Sequence, residues 1–215
     1  MEWMIKGLNA FQREVFPAKN ETYNKLAHSQ HPRALLLTCA DSRIVPDLLF
    51  QTEPGDLFIA RNAGNIIPPF GVDQGGVSAS IEYGLVALGI RDVVVCGHSD
   101  CGAMRALLKP ESLERLPQVR HWLRHAEAAR HIVEQEPDTF DLQARLRRVT
   151  EENVRAQIIH LQTYPFIASL MARGEIRLHG WYYEIATGTV FVNNAAGGRF
   201  EELRHREPLA AEVEA

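Results

Sequence analysis

Two short stretches carry residues whose types and spacing can do chemistry. One runs Asp92-Val-Val-Val-Cys-Gly-His-Ser-Asp-Cys-Gly-Ala-Met104, with His98 and Cys101 separated by two residues. The other runs Ala34-Leu-Leu-Leu-Thr-Cys-Ala-Asp-Ser-Arg43, where Cys39 is followed at alternate positions by Asp41 and Arg43. Two thiolates and one imidazole are donor types that zinc prefers. Three protein ligands leave a fourth tetrahedral position for water, which is the catalytic pattern rather than the closed structural one. A His-x-x-Cys pair can grip an ion from a single loop, and a distant third ligand ties that loop to another strand. Zinc held this way would bring its water to a pKa of ~7 or somewhat above, less strongly than a three-histidine site because two thiolates offset its charge. Asp41, two residues past Cys39, points to the same side of an extended chain and can orient that water. Arg43 can hold Asp41 by a bidentate, charge-assisted bond.

These residues must be delivered by a sheet. Val93 to Val95 is a β-branched run that reads as a strand buried on both faces, and Gly102 releases the chain into a helix. Ala34 to Thr38 is a second apolar run ending at Cys39. If the two strands are parallel neighbours, Cys39, His98 and Cys101 converge at their carboxyl ends, where open α/β sheets place their ligands. Further strands are predicted at Leu57 to Ala60, Ile176 to Tyr183 and, after the turn at Thr187-Gly188, Val190 to Val192. Helices are predicted over Gly76 to Leu88, Val119 to Gln135 and Asp141 to Gln162, the last two separated by Pro137, with a short one before Arg173. The fold class is α/β: a mainly parallel central sheet of about four parallel strands plus an antiparallel edge strand, covered by helices on both faces.

Ahead of the sheet, Met4, Ile5, Leu8, Phe11, Val15 and Phe16 recur at steps of three and four, predicting an amphipathic helix ended by Pro17. A second short helix is predicted over Glu21 to His28. Residues 1–30 are therefore read as a helical arm, 31–202 as a single α/β domain and 203–215 as a charged, alanine-rich tail. The arm either folds back on its own domain or packs on another subunit.

Cys39-x-Asp41-x-Arg43 followed by His98-x-x-Cys101 resembles the β-class carbonic anhydrases. Arg61-Asn-Ala-Gly-Asn65, Gly75-Gly-Val-Ser-Ala-Ser-Ile-Glu-Tyr83 and His179-Gly-Trp181 extend the resemblance over most of the chain. Phe11-Gln-Arg-Glu14 and His121-Trp-Leu123 resemble the bacterial branch that includes the cyanate-operon enzyme. The resemblance implies reversible hydration of carbon dioxide to bicarbonate and a proton by zinc-bound hydroxide, one zinc per chain, and a homodimer or larger assembly with the arm packed on a partner. It implies metal ligands Cys39, His98 and Cys101, a catalytic dyad of Asp41 and Arg43, and an inactive form in which Asp41 replaces the water. It further implies that Gln30 and Tyr83 line the pocket from across the dimer interface, and that Gly97 and Gly102 keep the backbone close to the metal, Gly102 beside the substrate. One departure stands out. The Trp that some members use for a second, inhibitory bicarbonate is Leu36 here, and Thr38 replaces the small Gly expected before Cys39. Arg61 and Tyr183 still match, but the expectation is that this chain lacks that site.

Bulk properties agree. The 215 residues, 46% hydrophobic, suffice for a globular core, and a net charge of −4 lacks the basic footprint of a nucleic-acid binder. No stretch approaches the ~20 apolar residues of a membrane span. No signal-peptide pattern opens the chain. Three cysteines suit metal better than disulfides and favour the cytoplasm.

Other features read as structural. Cys96 follows three valines and reads as a core residue. His121 and His125 have the spacing of a zinc-protease pair, but Trp122 stands where that site needs Glu, so they read as a solvated helix face. His31, His131, His160 and His205 read as surface residues, and His179 as a structural partner. Gly97 to Cys101 misses the second glycine of a hydrolase elbow, which counts against Ser99 as nucleophile. Basic groups in Arg115 to Arg130 read as a wet helix face, and Gly64 to Gly76 as a loop shaping the pocket mouth. Three competing functions remain: a metal-free hydrolase with Cys101 as nucleophile and His98 as base, a non-catalytic zinc-stabilised scaffold, and the same fold acting on carbonyl sulfide or carbon disulfide.

Overall fold

A computed structural model describes residues 1–73, 75–136, 141–194 and 198–203. Six strands form one sheet in the order β2-β1-β3-β4-β5-β6. They are β1 (Ala34–Cys39), β2 (Leu57–Asn62), β3 (Asp92–His98), β4 (Arg177–Glu184), β5 (Thr189–Asn194) and β6 (Arg199–Glu202). The first four are parallel, and β5 and β6 are antiparallel additions. The four parallel strands and the antiparallel edge are borne out. β6, a second antiparallel strand, was not expected.

Ten α-helices accompany the sheet among the described residues. They are α1 (Glu2–Ala10), α2 (Phe16–Ala18), α3 (Asn20–Leu26), α4 (Pro46–Phe50), α5 (Gly76–Glu82), α6 (Gly102–Leu108), α7 (Pro117–Leu123), α8 (Glu127–Glu134), α9 (Leu142–Gln162) and α10 (Pro165–Ala172). The arm helix does not stop before Pro17. A wide turn over Phe11–Val15 joins α1 to α2, and the wider spacing relieves the clash between a proline ring and the preceding turn's carbonyl. The expected break at Pro137 and nearly all of the expected tail lie outside the described residues.

The register delivers the site. Thr38 lies opposite Cys96, so Cys39 falls level with Gly97, one residue before His98. Leu35, Leu37, Val93 and Val95 face one side of the sheet and bury against Leu85, Val154, Leu161, Ile167 and Leu170. At the strands' carboxyl ends a second cluster gathers Met104, Leu107, Leu123, Ala129, Val133, Leu146 and Val149 around Cys39, Cys101 and Ile66. The opposite face is covered less fully than expected. Leu36, Val94 and Cys96 meet Phe50 of α4 together with Leu57, Ile59, Trp181 and Tyr183 from neighbouring strands. Two glycines let α9 lie close: a Cβ on Gly97 would sit 2.9 Å from Thr150 Cγ2 and Val154 Cγ2, and one on Gly180 2.8 Å from Ile158 Cδ1. Asp141 caps α9, its carboxylate accepting from the Ala144 amide at 2.7 Å.

In the arm, α1 to α3 bury no residue within the chain. Phe16 stacks on Tyr23 and Phe11 meets both rings at steep angles, while Trp3, Met4, Ile5 and Leu8 are exposed.

Candidate metal centre

Cys39 at the end of β1, His98 at the end of β3 and Cys101 just before α6 come together. One donor atom from each lies within 4.8 Å of the others, and all three residues are buried. His98 Nδ1 donates to the Ser99 carbonyl at 2.9 Å, which fixes the tautomer that leaves Nε2 as a lone-pair donor. Nε2 is buried and has no hydrogen-bond partner. The two thiols sit against each other. Their shared hydrogen bond draws Cys39 well below the usual thiol range, and that same bond, with burial, pushes Cys101 well above it. Two buried sulfurs cannot both carry charge without a cation between them. An orphaned imidazole nitrogen and two opposed thiols thus fit a thiolate-preferring divalent metal.

The same facts weigh against the metal-free hydrolase. Cys101 is fully buried against the Cys39 thiol, whereas an activated nucleophile is partly exposed to its substrate. Ser99 Oγ is engaged as acceptor for the Ile185 amide at 2.9 Å.

Asp41 stands at the mouth. Its Oδ1 accepts from the Arg43 amide at 2.9 Å and from Arg43 Nε at 3.0 Å, and its Oδ2 from Arg43 Nη2 at 2.8 Å. Arg43, first of all, holds the carboxyl far below the usual carboxylate range. Asp100 completes the clasp: its carboxylate accepts from Arg43 Nη1 at 3.1 Å and its carbonyl from Nη2 at 3.0 Å. Arg61 braces the same turn, donating from Nε to the Cys39 carbonyl at 2.9 Å and from Nη2 to the Asp41 carbonyl at 2.8 Å. The Arg61 guanidinium is thereby committed to backbone, and Leu36 is only 2% exposed among apolar neighbours.

The expected substrate residues sit elsewhere in the chain. Gln30 and Tyr83 line one cleft of about 830 Å³ with Tyr23, His28 and Leu88, and none of the three candidate ligands lines it. Tyr83 is half exposed. Gly102 opens α6 and is exposed, and a Cβ on it would meet open space within this chain.

Several histidines differ from their sequence reading. His125 is buried rather than solvated: its Nε2 donates to Asp73 at 2.6 Å, and Asp73 also takes Arg124. His160 is partly buried and donates to the Ile67 carbonyl at 2.8 Å, and burial lowers its pKa. Sequence neighbours gave no hint, because the partners come from a distant loop. His31 and His131 are exposed, and His205 lies outside the described residues. His179 does pair structurally, with Asp92 at 3.2 Å. Burial pushes Cys96 up to about 12, as suits a core thiol.

The parallel strands of this α/β fold gather two cysteines, a histidine and an Asp-Arg clasp at their carboxyl ends, the arrangement of a candidate metal centre with an acid–base partner beside it. The carbonic anhydrase family model matches residues 34–190, and the chain belongs to that family. A carbonic anhydrase of Pseudomonas aeruginosa is 45% identical over 211 residues, covering 98% of this chain and 96% of the relative. The solved β-carbonic anhydrase CcaA superposes with a TM-score of 0.93 at 44% identity, over 96% of this chain and 93% of that one. Two β-carbonic anhydrases of Sordaria macrospora, described as tetrameric, are represented by a structure with a TM-score of 0.78 at 29% identity, over 95% of this chain and 96% of that one. The fold is that of the β-carbonic anhydrases, whose cofactor is zinc.

Proposed function

We infer that the chain catalyses the reversible hydration of carbon dioxide to bicarbonate and a proton, with Cys39, His98 and Cys101 holding zinc. The observation that carries this is the buried, unpartnered Nε2 of His98 facing two opposed thiols beside the Asp41-Arg43 clasp. When bound, zinc supplies the Lewis acidity that makes water a nucleophile near neutral pH. The remaining work falls to side chains. Asp41, kept ionised by Arg43, accepts a hydrogen bond from the attacking water and turns its lone pair toward the carbon. Arg43 in turn is kept from rotating by Asp100. Carbon dioxide is small and uncharged, so its pocket needs apolar walls and few polar groups.

Gln30 and Tyr83 fit the substrate role when contributed by a second copy, since within one chain they share a cleft away from the ligands. The exposed Trp3, Met4, Ile5 and Leu8 of the arm supply an apolar face for the same contact. The reading is therefore a homodimer built through residues 1–30 around the 31–202 domain, pairing into a tetramer as described for the Sordaria macrospora enzymes. No described helix is long and apolar enough to cross a membrane. A cytoplasmic site suits three unpaired cysteines, which need a reducing compartment.

The test is stopped-flow hydration of carbon dioxide against pH on protein of known zinc content. Fast turnover that rises toward alkaline pH and vanishes on chelation is the expected result. Zinc-loaded protein without turnover at any pH would favour the scaffold or an analogue substrate. For the assembly, Leu8→Glu should lower the mass seen in sedimentation, and an unchanged mass would remove the arm from the interface.

A further inference from the structure

The sulfur of Cys39 meets backbone amides from outside the ligand set, those of Asp41 and Gly64, and the Gly64 amide donates to Sγ at 3.4 Å. The Gly64 amide belongs to the peptide unit Ala63–Gly64, in the loop after β2. A trans peptide is planar, with its N–H and C=O directed oppositely, so a donor fixed on the carbonyl fixes the direction of the N–H. Such a donor is present. Trp122 of α7 donates from its indole Nε1 to the Ala63 carbonyl at 3.0 Å. The next carbonyl is fixed as well. Asn153 of α9, fully buried, donates from Nδ2 to the Gly64 carbonyl at 3.0 Å.

The loop needs this restraint. Gly64 sits at φ +81 and Asn65 at φ +49, two successive left-handed residues. Glycine tolerates both signs of φ, so an Ala–Gly peptide plane is free to turn unless its polar groups are held. Space at Gly64 is also tight, since a Cβ there would lie 3.0 Å from Ala103 Cβ and 3.1 Å from Met104 Cε. The holding groups are themselves held. Asn153 Oδ1 accepts from Gln157 Nε2 at 2.9 Å, and Gln157 Oε1 accepts from the Ile67 amide at 2.7 Å. The bonds thus run from α7 through the Ala63–Gly64 peptide, and from α9 through the adjoining Gly64–Asn65 peptide, to the residue whose amide meets a sulfur of the candidate metal centre.

We propose that Trp122 and Asn153 are positioning residues of the metal centre: Trp122 locks the Ala63–Gly64 peptide and Asn153 the adjoining Gly64–Asn65 peptide, so that the Gly64 N–H stands as a donor to Cys39 Sγ. The inference rests on Cys39 being a zinc ligand. An amide aimed at the sulfur offsets part of its charge and keeps the side chain turned toward the ion. Outer groups of this kind are worth about 10- to 100-fold in metal affinity or activity.

The experiment measures zinc release from the loaded protein to a metallochromic chelator, with melting recorded for each sample. Trp122→Phe keeps an aromatic ring, though a smaller one, and deletes the indole N–H. Asn153→Leu keeps the volume and deletes the amide. Thr150→Val is the control, because Thr150 is equally buried on α9 but its hydroxyl bonds only the Leu146 carbonyl of its own helix. The expected result is release about tenfold faster or more in the first two variants and unchanged in the control. The cobalt-substituted Trp122→Phe protein should also show a shifted thiolate-to-metal absorption band, absent in Thr150→Val. Release at the parent's rate from folded Trp122→Phe protein overturns the proposal, and so does equal acceleration in all three variants, which would mark general loosening of the helices packed around the site. Should Asn153→Leu fail to fold, Trp122→Phe decides. A parent that binds no zinc would instead overturn the metal centre on which the proposal stands.

Discussion

Asp41 and His98 face each other across the site, with Oδ2 of Asp41 3.9 Å from Nε2 of His98. The carboxylate therefore reaches whatever that nitrogen holds, while Arg43 grips it from the other side through three hydrogen bonds. Asp41→Asn keeps the shape and removes the charge. Metal content should match the parent, and turnover should fall by on the order of 10²- to 10⁴-fold, the range for a lost proton-handling group. Stopped-flow hydration with metal analysis on the same sample checks both. Turnover within a few-fold of the parent would remove Asp41 from the reaction.

Metal removal should cost stability as well as activity. Cys39 and His98 end separate strands and Cys101 precedes α6, so one ion ties three elements together. An ion at a thousand times its dissociation constant adds about 4 kcal/mol to the folded state. Chelated protein should melt well below the loaded form and recover on addition of zinc. His98→Ala should show the low melting point with or without added zinc. A loaded and a stripped protein that melt together would mean that the ion is not held by these three elements.

Which of these features are legible in the sequence follows from how local each one is. Cys39, Asp41 and Arg43 alternate along one strand end, and His98 and Cys101 share one loop, so both sets show in a short window. The parallel core follows from β-branched and leucine-rich runs. β6 does not show, because three of its four residues, Arg199, Glu201 and Glu202, are charged and give no apolar alternation. Trp122 and Asn153 do not show either. Their partners are backbone carbonyls 59 and 89 residues away, and a backbone carbonyl carries no mark of its position. His125 reads as solvated among polar neighbours until the fold lays Asp73 over it.

Gly97 separates two demands on β3, since it precedes His98 and also lies beneath α9. A methyl group there would meet Thr150 Cγ2 and Val154 Cγ2 at 2.9 Å, both on β-branched side chains with little freedom to yield. Gly97→Ala should destabilise by about 1 to 3 kcal/mol, the usual cost of overpacking. Adding Val154→Ala frees room at the same spot, so the double variant should lose less than the sum of the two single changes. Urea unfolding of all four proteins measures the coupling. Strict additivity would mean that the strand and helix move apart without contact strain.

Asp92 offers a test in pH, far from the metal. Its carboxylate takes Arg177 and His179 from the neighbouring strand, and Arg177, first of all, holds it at about 2. In the unfolded chain an aspartate titrates near about 3.9. The folded value is the lower one, so the bond stabilises the protein at pH values above the unfolded pKa and is lost as pH falls through the folded one. Arg177 is 72% exposed, so water and salt screen the pair and the expected contribution is only about 0.5 to 1 kcal/mol. Asp92→Asn should therefore be less stable than the parent by that amount at pH 7, by less at pH 3, and by nothing at still lower pH. Urea unfolding of metal-free parent and variant at each pH keeps loss of the ion out of the comparison. A gap that stays constant from pH 7 to pH 3 would show that Asp92 contributes shape rather than charge.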